Sequence, residues 1–176
     1  CKIGMQSRAD KDRVIRLGAP PDRIHRVGNL KFDYSLPENP DASAAVRQVA
    51  LALGQKEGRL IWVCGSTHEG EEALLLKVFL SLQKEFEHLR WVVAPRHPHR
   101  SDSVTRLLKA GSLRVVRRSQ LDRSETIDPT VVVVDTIGEL PHFYEIADVV
   151  FMGGSLAPVG GHNLIEAAHF KKPILF

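Results

Sequence analysis

The chain has 176 residues, 43% hydrophobic and 26% charged, a balance that suits a globular protein with a real core and excludes a disordered or fibrous one. Its net charge of +3 and isoelectric point near 9.0 fit a phosphate-bearing ligand without demanding nucleic acid. The two cysteines, Cys1 and Cys64, make neither a disulfide framework nor a metal spacing, and no apolar run approaches the ~20 residues of a membrane helix.

Ser7 and Asp10 have capping-box spacing, with Asp where Glu or Gln is usual, and predict a helix to about Leu17 that stops at Gly18-Ala19-Pro20-Pro21. Ile24 to Val27 reads as a short strand running into Gly28-Asn29-Leu30-Lys31-Phe32-Asp33. A loop with two prolines follows, and Asp41 is placed to cap a helix through Leu53, with Gly54 at its end. From Arg59 the pattern is regular. Leu60 to Cys64 is a continuous apolar run, as expected for a strand covered on both faces. Ser66 and Glu69 suggest a capping box for a helix to about Glu87. Trp91 to Ala94, Leu113 to Val116, Val131 to Val134, Val149 to Met152 and Pro173 to Phe176 read as further strands. Helices are expected from Ser101 to Gly111, Leu140 to Ala147 and Leu164 to His169, and a surface loop from Ser119 to Asp128.

Strands alternating with helices predict an α/β fold with a doubly wound parallel sheet. Residues 1–176 are read as one Rossmann-like domain, incomplete at both ends, because the chain opens on Cys1 and stops on an apolar run. The unusual residues gather in the loops after strands, which in such a sheet share its carboxyl edge, where ligands bind. Gly153-Gly154-Ser155 and Gly160-Gly161-His162-Asn163 lie between a strand and a helix start. There, backbone N–H groups suit an anion, and Asn163 and Glu166 share one helix face. Arg96, stiffened by Pro95 and Pro98, can make a bidentate phosphate contact or can simply be a solvated arginine. Ser66 and Thr67 can cap a helix or meet a phosphate or carboxylate. Gly138, in Ile137-Gly138-Glu139, permits close approach to a base or a plain turn. Lys31 offers either a solvated side chain or a point charge for a departing phosphate. The histidines fall into no metal motif, and neither a Walker loop nor a dinucleotide glycine fingerprint is present.

Five motifs stand in order: Gly28-Asn29-Leu30-Lys31-Phe32-Asp33; Gly65-Ser66-Thr67-His68-Glu69-Gly70-Glu71-Glu72; Ala94-Pro95-Arg96-His97-Pro98; Asp135-Thr136-Ile137-Gly138-Glu139-Leu140; and Gly153-Gly154-Ser155-Leu156 with Gly160-Gly161-His162-Asn163 and Glu166-Ala167-Ala168. Together they resemble bacterial 3-deoxy-D-manno-octulosonic acid (Kdo) transferases. The resemblance implies the carboxyl-terminal half of a GT-B glycosyltransferase that moves Kdo from CMP-Kdo to a lipid A precursor in lipopolysaccharide synthesis. It implies action at the cytoplasmic face of the inner membrane, with no cofactor, no metal in the site and no nucleic-acid partner. It assigns CMP-Kdo contacts to Pro95, Arg96, Ile137, Gly138, Glu139, Asn163, Leu164, Ile165 and Glu166, supported by Ser66, Thr67 and Gly161, and transition-state stabilisation to Lys31. The family's catalytic glutamate and its membrane contact belong to an amino-terminal half that this sequence does not match, so transfer by this chain alone is not expected. Two other readings stay open: a GT-B transferase or epimerase using a UDP-sugar, and a basic nucleic-acid module.

Overall fold

The computed structural model describes residues 1–29, 33, 38–55, 58–121 and 128–176. They divide into two compact units, Cys1–Ser35 and Leu36–Phe176, where the sequence reading has a single domain. The smaller unit is a βαβ element. Strand β1 (Ile3–Met5) pairs in parallel with β2 (Ile24–Arg26). Helix α1 (Arg8–Arg16) links them, and Ser7 caps it by accepting from the Asp10 backbone N–H at 3.1 Å.

The larger unit begins with α2 (Pro40–Ala52). Asn39, not Asp41, is its cap, accepting from the Ala42 N–H at 3.0 Å; Asp41 falls inside the first turn, where its charge still favours the helix dipole. Next come β3 (Ile61–Thr67), α3 (Glu71–Leu82), β4 (Arg90–Pro95), α4 (Ser101–Ala110), β5 (Val115–Arg117) and β6 (Val131–Val133). Helix α5 (Leu140–Phe143) continues as a 3-10 turn at Tyr144–Ile146 rather than as regular helix. Strand β7 (Val149–Met152), α6 (Ile165–His169) and β8 (Ile174–Leu175) complete it. A 3-10 turn at Arg118–Gln120 runs into the start of the loop expected from Ser119 to Asp128, of which residues 122–127 lie outside the described residues.

The six strands form one parallel sheet in the order β5-β6-β4-β3-β7-β8. Chain order runs outward from β3 through β4 and then returns to β7 on the other side, so the strand order reverses beside β3, where α/β sheets open a crevice. Successive residues of each strand face opposite sides. Ile61, Val63, Val92, Val132 and Val150 pack with Val46 and Val49 of α2. Trp62, Cys64, Trp91, Val93 and Val131 pack with Phe79 of α3 and Leu108 of α4. Helices cover both faces, which explains the unbroken apolar strands. Burial pushes the Cys64 thiol well up.

The carboxyl ends of β3 and β7 come unusually close. The Gly153 N–H donates to the Gly65 carbonyl at 2.8 Å, and a Cβ on Gly153 would overlap the Ser66 and Thr67 backbone. The obstacle is backbone and cannot rotate away. Gly153→Ala is therefore expected to cost about 1–3 kcal/mol, measured by urea denaturation of the chain.

Candidate functional site

The loops after β3, β4 and β6 enclose a cleft of about 330 Å³ at the carboxyl edge of the sheet, a size suited to a small ligand. Its lining includes Ser66, Pro95, Arg96, His97, Ile137 and Gly138. Pro95 closes β4 and is buried. The Arg96 N–H donates to the Thr67 carbonyl at 2.9 Å, while its side chain is exposed and makes no ion pair among the described residues. Ile137 is 87% exposed, and Gly138 has a φ of 83°, so the loop after β6 presents peptide groups at the cleft wall. An apolar groove of similar volume lies at the opposite edge, lined by Leu60, Val78, Phe86 and Leu175, without convergent polar groups.

Thr67 and Ser66 part company. The expected Ser66–Glu69 capping box is not formed. Strand β3 runs on to Thr67 with a register shift against β4, and Ser66 adopts a φ of 55° there. Gly70 occupies the cap position of α3 without a side-chain bond, and the helix ends at Leu82. Ser66 lines the cleft, whereas Thr67 is fully buried and donates its hydroxyl to Glu72 at 2.8 Å.

Three glutamates brace these loops from behind. Glu71 is 1% exposed. Its carboxylate accepts from the backbone N–H groups of His68 at 2.8 Å, Gly154 at 2.9 Å and Leu156 at 2.9 Å, joining the loops after β3 and β7. Burial alone would raise this carboxyl; the N–H bonds from Gly154, His68, Leu156 and Ala157 outweigh it and hold the group below the usual glutamate range. Glu72, equally buried, takes a bidentate contact from Arg100 at 2.8 and 3.0 Å. This contact ties the loop after β4 to α3 and lifts the Arg100 guanidinium above its ordinary value. Glu139 accepts from the Thr136 hydroxyl at 2.6 Å and pairs with Arg118 at 3.1 Å. Its carboxylate is thus engaged within the protein, behind Ile137 and Gly138.

The loop between β7 and α6 carries the remaining expected residues. Gly161 is exposed, with a φ of 73°, and donates its N–H to the Gly154 carbonyl at 2.8 Å. Asn163 is exposed and its side-chain oxygen accepts from the Ile165 N–H at 3.1 Å. Leu164 packs on the core, Ile165 starts the five-residue α6, and half-buried Glu166 has its carboxyl raised by desolvation. These residues reach the loop after β3 through Glu71 and through His68 and His162, whose Nε2 atoms are 2.7 Å apart. Lys31 lies outside the described residues. Among the described residues no group of three or more His, Cys, Asp or Glu is placed to hold a metal.

Glu71, Glu72 and Arg100 had no assigned role in the sequence reading. Their only local signal is a Glu-Glu pair directly after Gly70, at a helix start.

No family model matches the chain. It is 34% identical over 176 residues to the 3-deoxy-D-manno-octulosonic acid transferase of Haemophilus influenzae, covering 98% of this chain and 39% of that protein. It is 35% identical over 173 residues to a bifunctional glycosyltransferase/methyltransferase of Fusobacterium nucleatum, covering 98% of this chain and 26% of that protein. The crystal structure of the C-terminal CMP-Kdo binding domain of WaaA from Acinetobacter baumannii matches with a TM-score of 0.64 and 33% identity, over 74% of this chain and 69% of that one. The chain therefore spans about a quarter to two fifths of the length of these curated relatives.

Glu71→Gln replaces an acceptor-only group with one that presents an NH2 to backbone donors, at an expected cost of about 1–3 kcal/mol. The stability gap between wild type and variant is full above the usual glutamate range. It shrinks as pH falls through the lowered folded-state value. Urea denaturation of both forms across acid pH measures it.

Proposed function

The chain belongs to the family of 3-deoxy-D-manno-octulosonic acid transferases, and from that membership we propose that its larger unit binds CMP-Kdo for transfer of Kdo to a lipid A precursor. The observation that carries this is the cleft at the carboxyl edge of the sheet, where Arg96, Ile137 and Gly138 meet. Arg96 is an exposed cation on a loop flanked by Pro95 and Pro98, suited to the nucleotide phosphate. Ile137 offers apolar surface to the base, and Gly138 lets a base approach the backbone closely. Asn163 and Glu166 supply an amide and a carboxylate for the ribose hydroxyls.

Glu166 suits that task physically. Desolvation raises its carboxyl, so the ionised form is under-solvated by the protein around it. Two hydroxyl donors from a ribose would restore the lost hydrogen bonds. Thr67 and Glu139 contribute through the fold: the first anchors α3, the second shapes the loop after β6.

For the chemistry, an acceptor hydroxyl attacks the anomeric carbon as CMP leaves, and positive charge near the phosphate stabilises the departing group. The acceptor proton must go to a base within hydrogen-bond reach. A lipid acceptor places the reaction at the cytoplasmic face of the inner membrane in this proposal. Among the described residues no helix is long and apolar enough to cross a membrane.

Calorimetric titration of the chain is expected to show tighter binding of CMP than of UDP. Glu166→Ala is expected to weaken CMP binding by about ten- to a hundredfold, the worth of a hydrogen bond to a charged group. Equal affinity for UDP would favour a different nucleotide sugar. Affinity unchanged by the substitution would remove Glu166 from the site.

A further inference from the structure

One cluster near the cleft makes none of the proposed nucleotide contacts. The Nε2 atoms of His68 and His162 are 2.7 Å apart. Their ring planes lie within 9° of each other and their centroids 5.0 Å apart. Centroids that distant with nitrogens that close mean rings meeting edge to edge along one N–H···N line, not face to face. Such a bond needs one hydrogen and one lone pair. The pair can therefore hold no extra proton or one, but not two. With both rings cationic, each nitrogen carries a hydrogen and the charges repel.

The two rings sit on different loops. His68 follows β3; His162 lies between β7 and α6, directly before Asn163. Gly160 and Gly161, with φ of 89° and 73°, make the backbone just before His162 easy to turn.

We propose that His68 and His162 are positioning residues for the ligand loop: their shared hydrogen bond pins His162, and with it Asn163 to Glu166, to the loop after β3, and a second proton releases them. This rests on the nucleotide reading for what the loop holds and adds that the hold depends on protonation. The groups facing the pair set the pH. The loop after β4 contributes Arg96 and His97; the His97 ring is edge-on to His68 at 6.4 Å and lies against His99 at 5.5 Å. Helix α3 contributes Glu71. Burial first, then His68 and Arg96, hold the His162 ring below the ordinary imidazole range, with Glu71 opposing them. The bond therefore survives at neutral pH and opens in acid. Glu166, in the first turn of α6, adds an acid branch of its own that is common to every variant retaining it.

The test combines NMR titration of the histidine ring protons with CMP affinity across pH, for wild type, His68→Gln, His162→Gln and His162→Ala. Glutamine keeps a hydrogen-bonding group but cannot take the charge. In the ligand-free wild type the His162 ring is expected to titrate below the ordinary imidazole range, and His68→Gln to move it upward. The affinity ratio of wild type to His162→Gln is expected to be flat above the imidazole range and to fall about tenfold per pH unit below the second protonation. His162→Ala is expected to bind more weakly than wild type at neutral pH and to lose that deficit in acid, where the wild-type bond is open too. A His162 ring unmoved by His68→Gln, or a flat ratio with CMP bound, overturns the positioning role and leaves the nucleotide reading standing. A wild type that binds no CMP at any pH overturns both.

Discussion

The carboxylate of Glu71 is the constraint on which the ligand edge depends. A buried negative charge is costly unless its lone pairs are filled. Here they are filled by N–H groups from two loops far apart in sequence, at His68 on one side and at Gly154 and Leu156 on the other. The charge is solvated by the protein in place of water, so neither loop can move off without leaving it bare. The close approach of Gly153 to the Ser66 backbone sets the distance at which this becomes possible.

The same device recurs around the cleft. Glu72 fixes the loop after β4 through Arg100, and Glu139 fixes the loop after β6 through Thr136 and Arg118. Each glutamate lies at or just before the start of a helix, where the dipole favours it. Each points into the protein and leaves other residues to face the cleft. The exposed side chains of Arg96 and Ile137 are thereby held on these supports without being spent on internal bonds.

Much of this was legible in the sequence, for identifiable reasons. Val149 to Met152 is a run of four apolar residues ending at a Gly pair, and its strand has those bounds. Parallel strands buried on both faces announce themselves by composition alone. The carboxyl-edge loops followed from topology, and Ser66, Pro95, Arg96, Ile137 and Gly138 do line one cleft. What failed was local spacing read without its tertiary setting. Ser66 and Glu69 have the interval of a capping box, yet the bulge in β3 turns Ser66 to a positive φ and buries Thr67 instead. Asp41 lost the cap to Asn39 because Pro40 suits the first helical turn. The bracing glutamates could not be assigned from spacing, since Arg100 lies 28 residues from Glu72 and Gly154 lies 83 from Glu71.

That last separation bears on how the chain folds. Strand β3 sits in the middle of the sheet, but its β7 partner is made much later, after three intervening strands. Until β7 arrives, β3 is an edge strand with unpaired backbone groups. Glu71 then has no Gly154 or Leu156 to satisfy it and stays solvated. Such non-local parallel pairing is slow because chain entropy must be surrendered before contacts reward it. The ligand edge is consequently among the last parts of the sheet to form. A growing chain reaches it only when the segment through Leu156 has left the ribosome and docked.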